Sequence, residues 1–311
     1  MKKAKKGVIW AAGIVTLAIL AVSDLLIHGP AADASILWML RLPRIITAIA
    51  AGGALALSGA QMQSILGNPL ADPHIMGISA GAALGAAIAT MSGWASGLPI
   101  ASAAFAGALI TSMIILTASR RLAGAGTLLI FGVMLGFIAN AIVSIIQFST
   151  DAESLKIFYS WSAGSFSMTG WNDIAIIMIS ISAGYSMATY NKRGLDIILF
   201  GDEFATMAGA DVRRIRLLSI IGCSLMTGAV TAFCGPLGFV GIVAPHIARA
   251  LFRTSSHSTV LPASLLTGAV TGIGADLIAQ IPGSPVPVSS TMAIIGVPVI
   301  IYIMVKKSSQ V

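Results

Sequence analysis

Residues 77–81 carry the spacing of a catalytic serine. The run Gly-Ile-Ser-Ala-Gly, with Ser79 at its centre, fits the GxSxG pattern in which a serine attacks a carbonyl carbon. That chemistry needs a sharp turn between a strand and a helix. Here the run lies in apolar, helix-like sequence with no strand pattern before it. We therefore interpret Ser79 as a packing residue of a helix.

Metal or haem chemistry would need histidines or cysteines at short, regular spacings. Neither an HExxH pattern nor a paired Cys/His spacing occurs, and Cys223 and Cys234 lie in apolar sequence, as expected of buried hydrophobes. His74 and His246 each follow a proline near a helix start, which favours a structural hydrogen bond over haem ligation, the weaker alternative. We predict no metal site and no cofactor. The four histidines are His28, His74, His246 and His257.

A nucleoside triphosphate could be held by a glycine-rich P-loop, but the sequence contains no GxxxxGK[ST] run. If the protein uses ATP, the ATPase must therefore be a separate chain. Because acid–base and metal clusters are missing as well, the sequence predicts a protein that is not itself an enzyme.

Charge is concentrated in the interval 192–216, inside a chain that is otherwise almost wholly apolar. Its three glycines predict two short helices with turns between them, at about 193–213. Asp202 and Glu203 suit a helix N-terminus, and Phe204 begins an apolar face. A solvated loop would explain the charges alone. A docking surface for a soluble protein also explains the mixture with apolar residues, and we prefer it.

The composition predicts an all-α integral membrane protein with a single domain over residues 1–311. The chain is 57% hydrophobic and 9% charged, whereas about a quarter of the residues of a soluble domain are charged. The net charge of +7 reflects a membrane orientation bias and not a nucleic-acid partner. About ten apolar runs could span a bilayer. They lie near 8–27, 44–66, 74–91, 98–118, 126–148, 172–191, 217–234, 239–252, 259–280 and 288–305.

The positions of Lys and Arg predict the orientation in the membrane. With ten spans and a cytoplasmic N-terminus, fifteen of the 18 Lys and Arg residues fall on the cytoplasmic side, and only Arg41, Arg44 and Lys156 fall outside. This asymmetry places both termini and the charged interval in the cytoplasm. The basic N-terminal segment is similar to a signal peptide, but its apolar run of roughly 20 residues and the spans after it indicate a retained first helix.

Asp276 is the one ionisable residue well inside a predicted span. Such residues are costly and often functional, but a secondary transporter would need several. We therefore prefer a structural role, as a hydrogen bond between helices or an anchor at a helix end. GxxxG spacings, such as Gly77/Gly81 and Gly132/Gly136, indicate dense helix packing.

A weak internal sequence similarity links the two halves of the chain. The run that starts at Arg44 is similar to the run that starts at Arg214, and Pro73-His74-Ile75 recurs at 245–247. Five spans separate the copies, so a true repeat would be inverted in the membrane, as in many transporters. Coincidence among small apolar residues is an equal alternative.

Long motifs over nearly the whole chain resemble the FecCD-type permeases of bacterial ABC importers, which take up chelated iron, haem or corrinoids. The resemblance implies the ten-helix, type II ABC importer permease fold. The motifs are Arg41-Leu-Pro-Arg44, GGALALSGAQMQSILGNPLADPHIMGISAGA from Gly52, Trp161-Ser-Ala-Gly-Ser165, FGDEFATMAGADVRRIR from Phe200, GPLGFVGIVAPHIARAL from Gly235, LPASLLTGAVTGIGAD from Leu261 and IIGVPVIIYIM from Ile294.

The same resemblance implies partners and sites. It implies a homodimer in the bacterial inner membrane, a cytoplasmic ABC ATPase dimer and an extracytoplasmic substrate-binding protein. Arg41 matches a family arginine that docks the binding protein. The cytoplasmic gate and pathway residues implied are Gly124, Ala125, Gly126, Asn68 and Pro69. The ATPase-coupling residues implied are Gly201, Asp202, Glu203, Ala205 and Gly209.

Two positions depart from the family pattern on the outer side. Gln280 stands where the family often has an arginine, and Pro285-Val286-Pro287 stands where an acid often precedes the last helix. An exposed ion pair is worth about 0–1 kcal/mol, so its loss need not abolish docking.

The function expected from the resemblance is import of an iron complex, a siderophore or haem, by alternating access. ATP-driven closure of the motor would pull on the coupling helices and change which end of the pathway is open. Corrinoid (cobalamin) import is the alternative, and an ion-coupled secondary transporter is a remote one. The binding protein would supply specificity, so the sequence leaves the cargo open.

Overall fold

The computed structural model describes residues 2–27, 34–93, 97–122, 124–281 and 286–308. These residues form helices and connecting loops and no strand, as predicted. A π-helical turn, Leu37–Arg41, joins the second helix to the third. The helices are α1 (Lys2–Leu26), α2 (Ala34–Ile36), α3 (Leu42–Ile65), α4 (Ile78–Met91), α5 (Gly97–Ser119), α6 (Ala125–Phe148), α7 (Ala152–Ser162), α8 (Trp171–Ile198), α9 (Asp202–Met207), α10 (Val212–Cys234), α11 (Val240–Phe252), α12 (His257–Gln280) and α13 (Val288–Ser308).

Ten of these helices account for the predicted spans. Seven are long and apolar enough to cross a membrane unaided, namely α1, α3, α5, α6, α8, α10 and α12. Three apolar helices are shorter: α4, α11 and the Val288–Tyr302 part of α13. The remaining helices, α2, α7 and α9, are short connectors. The expectation of about ten spans is therefore confirmed.

Polar contacts fix which helix ends lie together. Arg216, at the start of α10, reaches the carbonyl oxygen of Ile65 at the end of α3. Arg44, near the start of α3, pairs with Asp276 near the end of α12. The indole of Trp161 in α7 donates to a carbonyl in the last turn of α10. We call the end of the bundle that contains Arg216 and Ile65 the α9 end. The opposite end, which contains the Arg44–Asp276 pair and Trp161, is the α7 end. Both α1 and α13 have their chain-terminal ends at the α9 end.

The interval 192–216 contains one short helix, so the expectation of two was wrong. Residues 192–198 continue α8, and residues 212–216 already belong to α10. Gly194 does not make a turn, because it serves close packing: a side chain there would meet Ile215 of α10. Gly201 and Gly209, with φ of 98° and 78°, do make the turns on either side of α9.

Backbones in the centre of the bundle approach so closely that only glycine fits. A Cβ on Gly52 of α3 would meet the carbonyl oxygen of Gly268 of α12, and a Cβ on Gly268 would meet that of Gly52. A Cβ on Gly59 would likewise meet the backbone of Gly241 in α11. Small residues permit this contact, as the glycine content predicted.

We expect Gly268→Ala to lower the free energy of unfolding by about 1–3 kcal/mol, because the methyl group must push apart two backbones that have no room to relax. Gly274→Ala on the same helix is the matched control, since no atom lies within 4 Å of its Cβ position. Thermal unfolding of the purified chain in detergent measures both variants. Equal melting temperatures would contradict the tight contact.

Helix pairing repeats between the two halves of the chain. Helix α10 of the second half packs on α4 and α5 of the first half, and α3 of the first half packs on α11 and α12 of the second half. Because α3 and α10 run in opposite directions, this pairing is that of an inverted repeat. The recurring Pro-His-Ile tripeptide is not part of this inverted repeat, because Pro73 lies in the loop before α4 whereas Pro245 lies inside α11.

A buried polar cluster closes the α7 end. The guanidinium of Arg44 donates two hydrogen bonds of 2.8 Å to the carboxylate of Asp276, whose side chain is 0% exposed. The amide of Gln280 donates to Asp276 and to Asp24 of α1. Asp276 is therefore an anchor between helices, which confirms the structural interpretation. Gln280 is buried in this cluster, so it lies away from the outer surface, and Pro285 falls outside the described residues.

Candidate functional site

Helix α9 is held against the bundle by one ion pair and one methyl group. The carboxylate of Asp202 lies 2.7 Å from Nη2 of Arg216, whose side chain is 10% exposed. Nε of Arg216 donates to Ile65 at 3.4 Å, so the same guanidinium joins α9, α10 and α3. Ala205 is fully buried underneath the helix. Of the five predicted coupling residues, Asp202 and Ala205 therefore anchor α9.

The outward face of α9 is apolar and exposed. Phe200, Phe204 and Met207 are 74%, 48% and 82% exposed, and the ring centroids of Phe200 and Phe204 lie 5.3 Å apart with the ring planes tilted by 51°. Glu203 is exposed beside them, and none of the described contacts involves its carboxylate. A contiguous apolar patch with a charged rim is typical of a protein contact site. The surface formed by 200–209 has this character, and we call it the α9 surface.

The α9 surface borders a groove of ≈ 460 Å³ that also reaches the predicted gate. Ala125, in the first turn of α6, and Ile65, at the end of α3, line it together with Asp202 and Phe204. Gly124 has a φ of 84° and makes the turn into α6, and Gly126, two positions further on, is exposed. Of the predicted residues, Gly201, Asp202 and Glu203 of the coupling set and Ala125 of the gate set line this groove.

The Asn68-Pro69 segment lies beside this groove, directly after α3. The side-chain oxygen of Asn68 accepts a hydrogen bond of 2.9 Å from the backbone N–H of Leu70, which closes an Asx turn. Gly67, with a φ of 57°, leads into the turn and lines the groove. Asn68 and Pro69 themselves do not line the groove, and their role in a gate stays a prediction.

Sequence reasoning missed a second cluster at the α9 end. The ring of the fully buried His257 lies 2.7 Å from the carboxylate of Asp196 through Nδ1 and 2.7 Å from the hydroxyl of Ser64 through Nε2. These contacts join α12, α8 and α3. The order resembles a Ser-His-Asp triad, but Ser64 is buried and its hydroxyl also donates to Ala60, so the cluster is structural. The available signal was local: Ser256, directly before His257, marks a helix start but does not name the partners of the histidine.

Arg41 lies at the α7 end, far from α9. One of its guanidinium nitrogens donates to the carbonyl oxygen of Leu25 at 2.8 Å, and the residue is partly exposed. The π-helical turn that carries it is fixed by Trp171 of α8, whose indole donates to the carbonyl oxygen of Trp38. Arg41 is thus placed on a rigid turn, at the end opposite to the α9 surface.

Comparison with known proteins agrees with this architecture. The model of the FecCD transport family matches residues 8–306. The "Vitamin B12 import system permease protein BtuC" of Klebsiella pneumoniae is 34% identical over 88% of this chain and 83% of its own. The protein of that name from Citrobacter koseri is 35% identical over 86% and 82%.

A solved structure extends the likeness to three dimensions. It is described as a metal-chelate type ABC transporter in an inward-facing conformation, and it superposes with a TM-score of 0.87 at 28% identity. The match covers 96% of this chain and 99% of that one. Relatives of this kind are permease subunits and not enzymes. The chain therefore belongs to the FecCD transport family, as the permease subunit of an ABC importer whose ATPase is a separate chain.

Proposed function

We propose that the chain is the permease of a corrinoid importer. The observation that carries this proposal is the 34–35% identity, over 82–84% of their length, to permeases of vitamin B12 import systems. These relatives favour the corrinoid alternative over the iron complex that was the main expectation. Membership of an ABC importer family also replaces the remote alternative of an ion-coupled secondary transporter.

In the proposed assembly, two copies enclose a pathway, and the α9 end faces the cytoplasm. The basic loops support this orientation. Arg120, Arg121 and the charged interval lie at the α9 end, whereas Arg41, Arg44 and Lys156 lie at the α7 end. Both chain termini would then be cytoplasmic. The ATPase dimer would bind the two α9 surfaces, and the binding protein would dock at the α7 end.

The groove next to α9 supports a specific route for coupling. A movement of α9 imposed by the ATPase would be passed through the Asp202–Arg216 pair to α10 and to the end of α3. Across the groove the same movement would act on Ala125, at the start of α6. Rigid helices that share such contacts can alternate between two arrangements, which is what alternating access requires.

Uptake by a defined strain tests the cargo. The chain would be expressed with its ATPase and binding protein in bacteria that lack their own B12 permease, and uptake of radiolabelled cyanocobalamin would be measured. We expect ATP-dependent accumulation that a ferric siderophore does not compete with. Accumulation of the ferric siderophore without cyanocobalamin would instead favour the iron-complex function.

The docking role proposed for Arg41 has a modest expected effect. We expect Arg41→Ala to weaken binding of the substrate-binding protein by about two- to fivefold, because an exposed ion pair contributes up to about 1 kcal/mol. Titration of the binding protein onto the reconstituted permease measures this change. Arg41→Lys, which keeps the charge, is the control. Unchanged binding in Arg41→Ala at low salt would remove Arg41 from the docking surface.

A further inference from the structure

A second cavity, of ≈ 340 Å³, lies between the start of α4 and the middle of α6. The polar residues that line it are His74, Ser79 and Asn140, and its apolar residues include Phe137 and Pro236. Asn140 lies fifteen residues after the start of α6, which is about 22 Å along a helix. The cavity therefore lies within the length of the α6 span, away from both of its ends.

The polar groups of this cavity are free to bind. The hydroxyl of Ser79 is buried, with the residue 3% exposed, and it has no hydrogen-bond partner. Among the residues that the structure describes, neither the His74 ring nor the Asn140 amide has a hydrogen-bond partner either. An unsatisfied polar group inside a membrane is costly, and such groups almost always face a protein interior or a water-filled cavity. Asn140 and Phe137 are exposed, so the cavity opens at the surface of the single chain, and its polar groups favour a mouth that faces a pathway and not lipid.

The charge around the cavity disfavours an anion. Directly behind His74 lies the carboxylate of Asp72, which is 3% exposed and accepts a hydrogen bond of 2.9 Å from the backbone N–H of His74. The residues that line the cavity include neither Lys nor Arg. A carboxylate or catecholate that entered would find neither a lysine nor an arginine to balance its charge. The three lining groups can each donate or accept, as a neutral carboxamide does.

We propose that the cavity formed by His74, Ser79 and Asn140 is a subsite of the transport pathway that accepts a neutral carboxamide of the cargo. This inference rests on the proposed corrinoid function, since corrinoids carry carboxamide arms around their ring. A cavity of ≈ 340 Å³ is too small for the whole macrocycle, so one arm enters while the ring stays in the pathway. The subsite would then distinguish neutral corrinoids from anionic chelates.

Cysteine labelling tests whether the cavity opens to water. Asn140→Cys would be compared with Ile138→Cys, which lies two residues away and about 160° around the same helix, on an exposed apolar face. The native Cys223 and Cys234 are buried and give little background. In the assembled transporter we expect a membrane-impermeant methanethiosulfonate reagent to label Asn140→Cys at least about tenfold faster, because the thiolate that reacts forms only in water. Equal rates would overturn the pathway placement.

Cargo protection tests the subsite itself. During ATP-driven transport, cyanocobalamin should slow the labelling of Asn140→Cys, and an anionic ferric catecholate should not. Asn140→Leu should raise the half-saturating cyanocobalamin concentration about fivefold, since a lost hydrogen bond costs about 1 kcal/mol, whereas Ile138→Leu should leave it unchanged. Transport of cyanocobalamin without protection would overturn the subsite. If cyanocobalamin is not transported at all, the corrinoid function fails, and the labelling comparison still decides the pathway placement.

Discussion

Replacing Asp202 with lysine is expected to lower ATP-driven uptake at least about tenfold, while the chain still inserts into the membrane. A hydrogen bond to a charged group contributes about 1.5–3 kcal/mol, and each 1.4 kcal/mol is a factor of ten. In the variant, two cations replace the pair between Asp202 and Arg216, and α9 loses its link to α10 and α3. Uptake by vesicles, normalised to the amount of chain in the membrane, measures the effect.

Exchange of the two charges distinguishes the effect of the Asp202–Arg216 ion pair on uptake from the effect of the α9 surface. Asp202→Arg combined with Arg216→Asp restores the pair in reverse and should recover part of the uptake. Glu203→Lys changes only the α9 surface, so its effect should be seen as weaker ATPase binding and not as a loosened α9. Uptake that survives the double reversal Asp202→Lys/Glu203→Lys would count decisively against coupling through α9.

Asp276→Ala is expected to lower the free energy of unfolding by about 3–5 kcal/mol, because removal of one partner leaves a buried charge unpaired. The partner is Arg44, whose side chain is 18% exposed and makes both of its short hydrogen bonds to this carboxylate. Gln280 would lose an acceptor at the same time. Equilibrium unfolding in detergent measures the loss.

The double variant Arg44→Met/Asp276→Leu is the control for this second prediction. Replacement of both ions by apolar side chains of similar volume is often neutral or stabilising, so much of the lost stability should return. If the single and double variants unfold alike, packing at this position, and not the charge pair, holds α3 to α12.

The number and order of the spans could be predicted because the signals for each span lie within the span and its flanking loops. A bilayer requires about 20 apolar residues for each unaided helix, and Lys and Arg mark the loops on one side. The start of α9 could be predicted for the same reason, since Gly201 and the two acids after it signal a helix N-terminus within a few residues. These signals need no knowledge of distant contacts.

The contacts that hold the site could not be read from the sequence. His257 and Ser64 are 193 residues apart, and neither has a local pattern that names the other. Gly194 signalled a turn, but packing against Ile215 kept it helical. Gln280 lacked the charge expected at its position, and only the structure shows its amide buried between Asp24 and Asp276. Tertiary contacts decided each of these cases.

Helices α4 and α11 have a consequence for how the protein is made. With 14 and 13 residues they are about 21 and 20 Å long, well short of the roughly 30 Å hydrocarbon core. Neither can leave the translocon as an independent span, because the residues at its ends would place unpaired backbone N–H and C=O groups in lipid. The nascent chain must therefore keep each of them beside a long neighbour, α3 or α10, until the following helix emerges. Biogenesis of this permease would then proceed by helical hairpins and not by single helices.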